Sequence, residues 1–285
     1  MLNENNQSKI IKMKKSILSG YLWAYDKPEA AEVTFKKFKE FYPDGNLQCT
    51  IDLGGKVEEF QKVCDKWGAD MKVNPINVGR CGWMAHYENY VENGPQNELG
   101  RKCWPKENAF VWMDRLCEAA KNSNSKFMIS MEDDTYILKP ISILSEEFGI
   151  AVCEYNTNVL SDSILNFLDK IGGNINIPLN IFGRKGYGAC GGFIIDCEKF
   201  VESWSSFRDA LDCYWDDLVK QSHLIGWVDV LPQITIMAMG HNVVINNQLI
   251  QTWYGDRPDL FPGFTNWRDY EIADFVKDIE IIKQL

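Results

Sequence analysis

The segment from Lys126 to Pro140, KFMISMEDDTYILKP, most constrains what this chain can fold into. Phe127, Met128, Ile129 and Met131, broken only by Ser130, are too apolar for a surface strand. Such a run suits a strand buried on both faces at the centre of a mostly parallel sheet. It stops at three consecutive carboxylates, Glu132, Asp133 and Asp134. Like charges crowded at the end of a buried strand repel one another and resist desolvation, so they require compensation. A divalent cation supplies it, and hard oxygen ligands suit Mg²⁺ or Mn²⁺. In open α/β sheets the ligand crevice lies at the carboxyl ends of the strands, where this triplet falls. The competing reading is a solvated acidic loop, with Asp134-Thr135 starting a turn or capping a helix. The preceding strand and the Lys139-Pro140 break favour the cation site.

The flanking segments alternate as a parallel α/β sheet requires. Residues 14–22 (KKSILSGYL) predict a first strand that ends in a Gly20-Tyr21 turn. Pro28 opens a helix in which Ala31, Phe35, Phe38 and Phe41 fall near helical spacing, and Pro43-Asp44-Gly45 closes it. Residues 47–53 predict a second strand ending at Asp52, 56–67 a second helix, and 70–78 a third strand. Residues 79–106 read as loop, and 108–121 as a helix that delivers the chain to the central strand. Beyond Pro140, a strand is expected at 150–155, a helix at 161–171, and a loop at 174–189 that runs into the glycine-rich GACGGFIID. A helix over 200–220 precedes a buried helix or strand within 226–239, a last strand over 242–250, and a tail with a closing helix. No repeat or linker divides the chain. Residues 1–13 read as a flexible lead-in and 14–285 as one domain.

With a net charge of −10, the chain has no electrostatic grip on nucleic acid or an anionic membrane. Its nine cysteines are odd in number and show no CxxC or zinc-like spacing. That favours a reduced, intracellular protein. No signal-peptide h-region occurs, nor any uninterrupted apolar run near the ~18 residues of a membrane span. The expected setting is cytoplasmic or otherwise intracellular and soluble.

Three features together resemble the GT-A fold glycosyltransferases. These are the strand–helix start with Asp52 closing the second strand, the MEDD cluster in the place of the family's DxD motif, and the segment GACGGFII some way downstream. The resemblance covers residues 14–250. It implies a Rossmann-like domain whose central, mostly parallel twisted sheet is flanked by helices. It also implies a hexosyltransferase-type enzyme that takes a sugar from a nucleotide-diphosphate donor, UDP-linked by expectation, to a saccharide or other hydroxyl acceptor. In that family Mn²⁺ or Mg²⁺ neutralises the diphosphate leaving group.

By position, Asp134 matches the direct metal ligand. Glu132 matches the motif's first acid, touching the metal directly, through water, or touching the ribose. Asp133 is the middle residue, nearer the donor sugar. Asp52 matches the acid that hydrogen-bonds the base, although a helix cap or turn suits it equally. Tyr21 and Trp23 are placed to stack on the base or to join the core. Arg80 could pair with a phosphate or form a surface ion pair, and Arg184 and Lys185 could close over the diphosphate. Gly191 and Gly192 would let backbone amides approach the ligand. An inverting reaction needs a general base, for which Asp229 is the first candidate and Asp216 and Asp217 its rivals. A retaining reaction leaves Asp229 a binding or structural residue. His241 is the one histidine placed to be a third metal ligand, but the start of a parallel strand points away from the crevice.

The runner-up reading is a sugar-phosphate nucleotidyltransferase. The segment SGYLWAYDKPE after the first strand lacks the glycine-rich basic loop such an enzyme uses for a triphosphate. A non-catalytic carbohydrate-binding protein of the same fold would be expected to lose the carboxylates. A P-loop is excluded by the absence of GxxxxGK[ST].

Overall fold

The computed structural model describes residues 18–78, 105–132, 135–137, 139–143, 147–152, 162–176, 192–221, 230–249 and 264–266. Its strands are β1 (Leu18–Ala24), β2 (Leu47–Ile51), β3 (Ala69–Val73), β4 (Phe127–Glu132), β5 (Thr135–Ile137), β6 (Ile150–Val152), β7 (Gly192–Asp196), β8 (Val243–Ile245) and β9 (Phe264–Asn266). Its helices are α1 (Pro28–Phe41), α2 (Val57–Trp67), α3 (Lys106–Lys121), α4 (Asp162–Lys170), α5 (Cys197–Gln221) and α6 (Leu231–Ala238).

Seven strands form one sheet in the order β3-β2-β1-β4-β7-β6-β8. All run the same way except β7, which is antiparallel to both β4 and β6. The fold is therefore mixed α/β with a mostly parallel central sheet, as the sequence predicts.

The sequence of β1 shows why a central strand must be apolar on both faces. Leu18, Leu22 and Ala24 pack with Phe35 and Phe38 of α1 and Phe60 of α2. Tyr21 points the other way, into a cluster with Met113 and Leu116 of α3, Trp204 of α5 and Ile234 of α6. Alternate residues of a strand face opposite sides, so each layer of helices claims its own set. α2 ends at Gly68, which takes the left-handed conformation (φ 64°) and donates its backbone N–H to Cys64 O.

Several boundaries differ from expectation. β1 runs on to Ala24, two residues past its predicted end, so Tyr21 lies within the strand and there is no Gly-Tyr turn. β3 stops at Val73, short of 78. The ambiguous run after 226 resolves as α6, a helix buried along its whole length. Within the predicted last strand only Val243–Ile245 pairs, and a 3-10 turn follows over Asn247–Leu249. A second, two-stranded sheet of β5 and β9 was not foreseen. No described helix is long and apolar enough to cross a membrane. Among the described residues the cysteines are free thiols: Cys49, Cys64, Cys117 and Cys197 are buried and Cys213 is exposed. Burial pushes the Cys197 thiol up to about 11, which keeps it protonated and unreactive near neutral pH.

Candidate functional site

The strand order makes β1 the point where the sheet reverses direction of growth, with β2 on one side and β4 on the other. Ligands bind at such a switch point, outside the carboxyl ends of the strands. Four polypeptide segments end there: β1 at Ala24, β2 at Ile51 followed by Asp52, β3 at Val73 followed by Asn74, and β4 at Glu132. Because β7 is antiparallel, its first residue, Gly192, belongs to the same edge and sits opposite Met131 of β4.

Asp52 is held at this edge by its neighbours. Its backbone N–H donates to Ala24 O (3.2 Å), and its carbonyl accepts from Gly55 N (3.0 Å). The side chain is 2% exposed and accepts a hydrogen bond from Asn74 Nδ2 at 2.7 Å. Asn74 Oδ1 in turn accepts from Arg115 Nε of α3 at 3.0 Å. Arg115 Nη1 reaches Glu118 Oε2 at 2.7 Å, and Lys72 of β3 also pairs with Glu118. The Lys72 ammonium, then Arg115, hold the Glu118 carboxyl below its usual range.

The turn after Asp52 packs against the end of β1. Lys56 N–H donates to Tyr25 O (2.9 Å), and a Cβ at Gly55 would lie 2.4 Å from that same carbonyl. Only glycine fits so close an approach. Gly55→Ala must therefore push the two loops apart. We expect it to lower stability by roughly 1–3 kcal/mol, read from the urea midpoint at unchanged slope.

Glu132, half-buried, is the last residue of β4 and pairs in register with Trp23. Its backbone N–H donates to Thr135 Oγ1 (2.9 Å), while Thr135 O accepts from Thr34 Oγ1 of α1 (2.7 Å). The chain on either side of the acidic triplet is thus pinned to the core. Trp23 meets Trp112 edge-on, with ring centroids 6.2 Å apart.

Of the residues singled out from sequence, Asp52, Glu132 and Gly192 lie along the same carboxyl edge of the sheet. Tyr21 does not join them. The two extra residues at the end of β1 place it in mid-sheet, opposite Gln48 and Ser130, and it is 1% exposed beneath α3. Burial pushes its phenol pKa well up, an effect that Thr50 only partly offsets. Its ring has no face to offer a base. Of the two aromatics, Trp23 is the one at the strand end.

Arg80, Asp133, Asp134, Arg184, Lys185, Gly191 and Asp229 lie outside the described residues. Asp216 and Asp217 are exposed near the end of α5. The ion pair from Lys106 to Asp212 (2.9 Å) sets that stretch beside the start of α3. His241 precedes β8, at the edge opposite the crevice.

The donor chemistry fits a hard divalent cation, since Glu132 offers carboxylate oxygens and the chain continues directly into Asp133 and Asp134. Among the described residues no group of three or more His, Cys, Asp or Glu side chains is assembled. Asn74 and Arg115 were not singled out from sequence. The dipeptide Asn74-Pro75 is a turn signal that marks the true end of β3 and could have drawn attention to Asn74. Nothing in α3 distinguishes Arg115 from an ordinary surface cation.

No family model and no curated protein matches the chain. Among solved structures it is similar to a glycosyltransferase involved in glycosylation of the major capsid of PBCV-1, at 11% identity and a TM-score of 0.40, over 93% of this chain and 99% of that one. It is similar to the inositol-1-phosphate CTP transferase from T. maritima, at 12% identity and a TM-score of 0.46, over 94% and 97% of the two chains. It is also similar to the glycosyltransferase GlyE of Streptococcus pneumoniae TIGR4, at 10% identity and a TM-score of 0.46, over 93% of this chain and 62% of that one.

Proposed function

We propose that this chain is a glycosyltransferase of GT-A type, one domain over 14–285, that moves a hexose from a UDP-linked donor to a saccharide or other hydroxyl acceptor with Mn²⁺ or Mg²⁺. The observation that carries the reading is the placement of Asp52, Glu132 and Gly192 along one carboxyl edge of the sheet, on either side of the β1–β4 switch point.

Each residue is given the task its chemistry permits. Asp52 accepts a hydrogen bond from the base, and Trp23 lies against its ring. Glu132 and Asp134 would hold the divalent ion, which when bound acts as a Lewis acid on the diphosphate leaving group. Asp133 faces the donor sugar, and Arg80 pairs with a phosphate. The backbone at Gly191 and Gly192 lets donor and acceptor approach closely. Asp229 takes the acceptor hydroxyl proton if the reaction inverts the anomeric centre.

A nucleotidyltransferase is disfavoured by the short link between β1 and α1. Only Tyr25, Asp26 and Lys27 separate Ala24 from Pro28, which leaves no room for a glycine-rich triphosphate loop. The test is release of UDP from a panel of UDP-hexoses with saccharide acceptors. We expect turnover with Mn²⁺, its fall to background with EDTA, and its return when Mn²⁺ is restored. Pyrophosphate release from a nucleoside triphosphate and a sugar phosphate would instead establish the nucleotidyltransferase.

A further inference from the structure

We infer that Asn74 and Arg115 form a positioning relay for Asp52, an inference that rests on the nucleotide-sugar reading of the crevice. Arg115 orients the Asn74 amide, and that amide fixes the carboxylate that meets the base.

The polarity of the relay is forced. A guanidinium only donates hydrogen bonds and a carboxylate only accepts them. An amide placed between the two has one workable orientation, with Oδ1 toward Arg115 (3.0 Å) and Nδ2 toward Asp52 (2.7 Å). Asn74 is 1% exposed and its bond to Asp52 is buried, so water does not compete for that bond. Its backbone is fixed as well, donating from N–H to Ile51 O at 2.8 Å beside the start of the Asp52 turn. Arg115 is itself steadied by Glu118, which Lys72 also holds. The planar fork of arginine suits this double duty, and a lysine could not serve both partners in one plane.

A purely structural network at the ends of β2 and β3 would look similar, so the test must separate positioning from folding. The probes are UDP and inorganic pyrophosphate, each titrated calorimetrically with Mn²⁺, since pyrophosphate carries no base. The variants are Asn74→Leu and the less disruptive Arg115→Gln, each made alone and in an Asp52→Ala background. Arg115→Gln decides the matter alone if Asn74→Leu does not fold. We expect each single variant to weaken UDP about tenfold, the scale of one buried hydrogen bond to a charged group, and to leave pyrophosphate unchanged. In the Asp52→Ala background the same changes should have little further effect on UDP, because coupled residues are not additive.

Equal losses for UDP and pyrophosphate, or full losses that persist without Asp52, overturn the relay and leave the nucleotide-sugar reading standing. Unchanged UDP binding in Asp52→Ala alone overturns both the role of Asp52 and the relay. Failure of the wild-type chain to bind UDP with Mn²⁺ overturns the nucleotide-sugar reading, and the relay with it.

Discussion

Asp134→Ala is expected to cut sugar transfer by on the order of a thousandfold, the largest functional loss of any single substitution considered. Neutralising a diphosphate as it departs is worth several kcal/mol, and each ~1.4 kcal/mol is a factor of ten in rate. Asp134 lies two residues past the end of β4 at Glu132, where the buried strand gives way to the crevice edge. The buried part of β4, Met128 to Met131, is untouched by the change, so the unfolding midpoint should stay close to that of the parent. Rates measured across a Mn²⁺ series should show the loss at every concentration or a shift to far higher metal demand. A loss of only a few-fold with unchanged metal dependence would remove Asp134 from the ligand set.

Trp204→Ala is expected to have the largest effect on stability, a loss of about 3–5 kcal/mol. The indole is 2% exposed at the contact between α3 and α5. It meets Phe110 edge-on, with centroids 5.4 Å apart, and Nε1 donates to Asp114 Oδ1 at 2.7 Å. Truncation removes the buried area, opens a cavity and takes one donor from Asp114. The last loss is the smallest, because Arg208 still binds both oxygens of that carboxylate at 3.2 Å. Trp204→Phe keeps most of the packing and should cost roughly half as much. Urea unfolding at constant slope reads both values. A loss below about 1 kcal/mol for the alanine variant would mean that α3 and α5 do not depend on this contact. The site is linked to the same layer, since Arg115 sits on α3.

The central strand and its acidic end were legible because burial on both faces leaves an unbroken apolar run, and carboxylates at its end cannot be core. The start of the chain was misread at one glycine. Gly20 looks like turn punctuation, yet it lies inside β1. A Cβ there would meet Leu47 Cδ2 at 2.7 Å and Met131 Cε at 2.9 Å, so the glycine marks close approach of neighbouring side chains. That error moved the end of the strand and made Tyr21 look like a crevice residue. The hydrogen bond from Asn74 to Asp52 was hidden for a different reason. It spans 22 positions and depends on β2 and β3 lying side by side in one register, which no local pattern encodes. The pairing of β5 with β9 crosses a still longer separation and left no signal in either segment.

The central claim is that this edge of the sheet binds a nucleotide diphosphate through a metal. Calorimetric titration of the wild-type chain with UDP, in Mn²⁺ and again in EDTA, tests it most directly. Saturable binding with Mn²⁺ that disappears with EDTA is the expected result. Binding of equal strength in both conditions, or none in either, would contradict it and return Glu132, Asp133 and Asp134 to a solvated acidic turn.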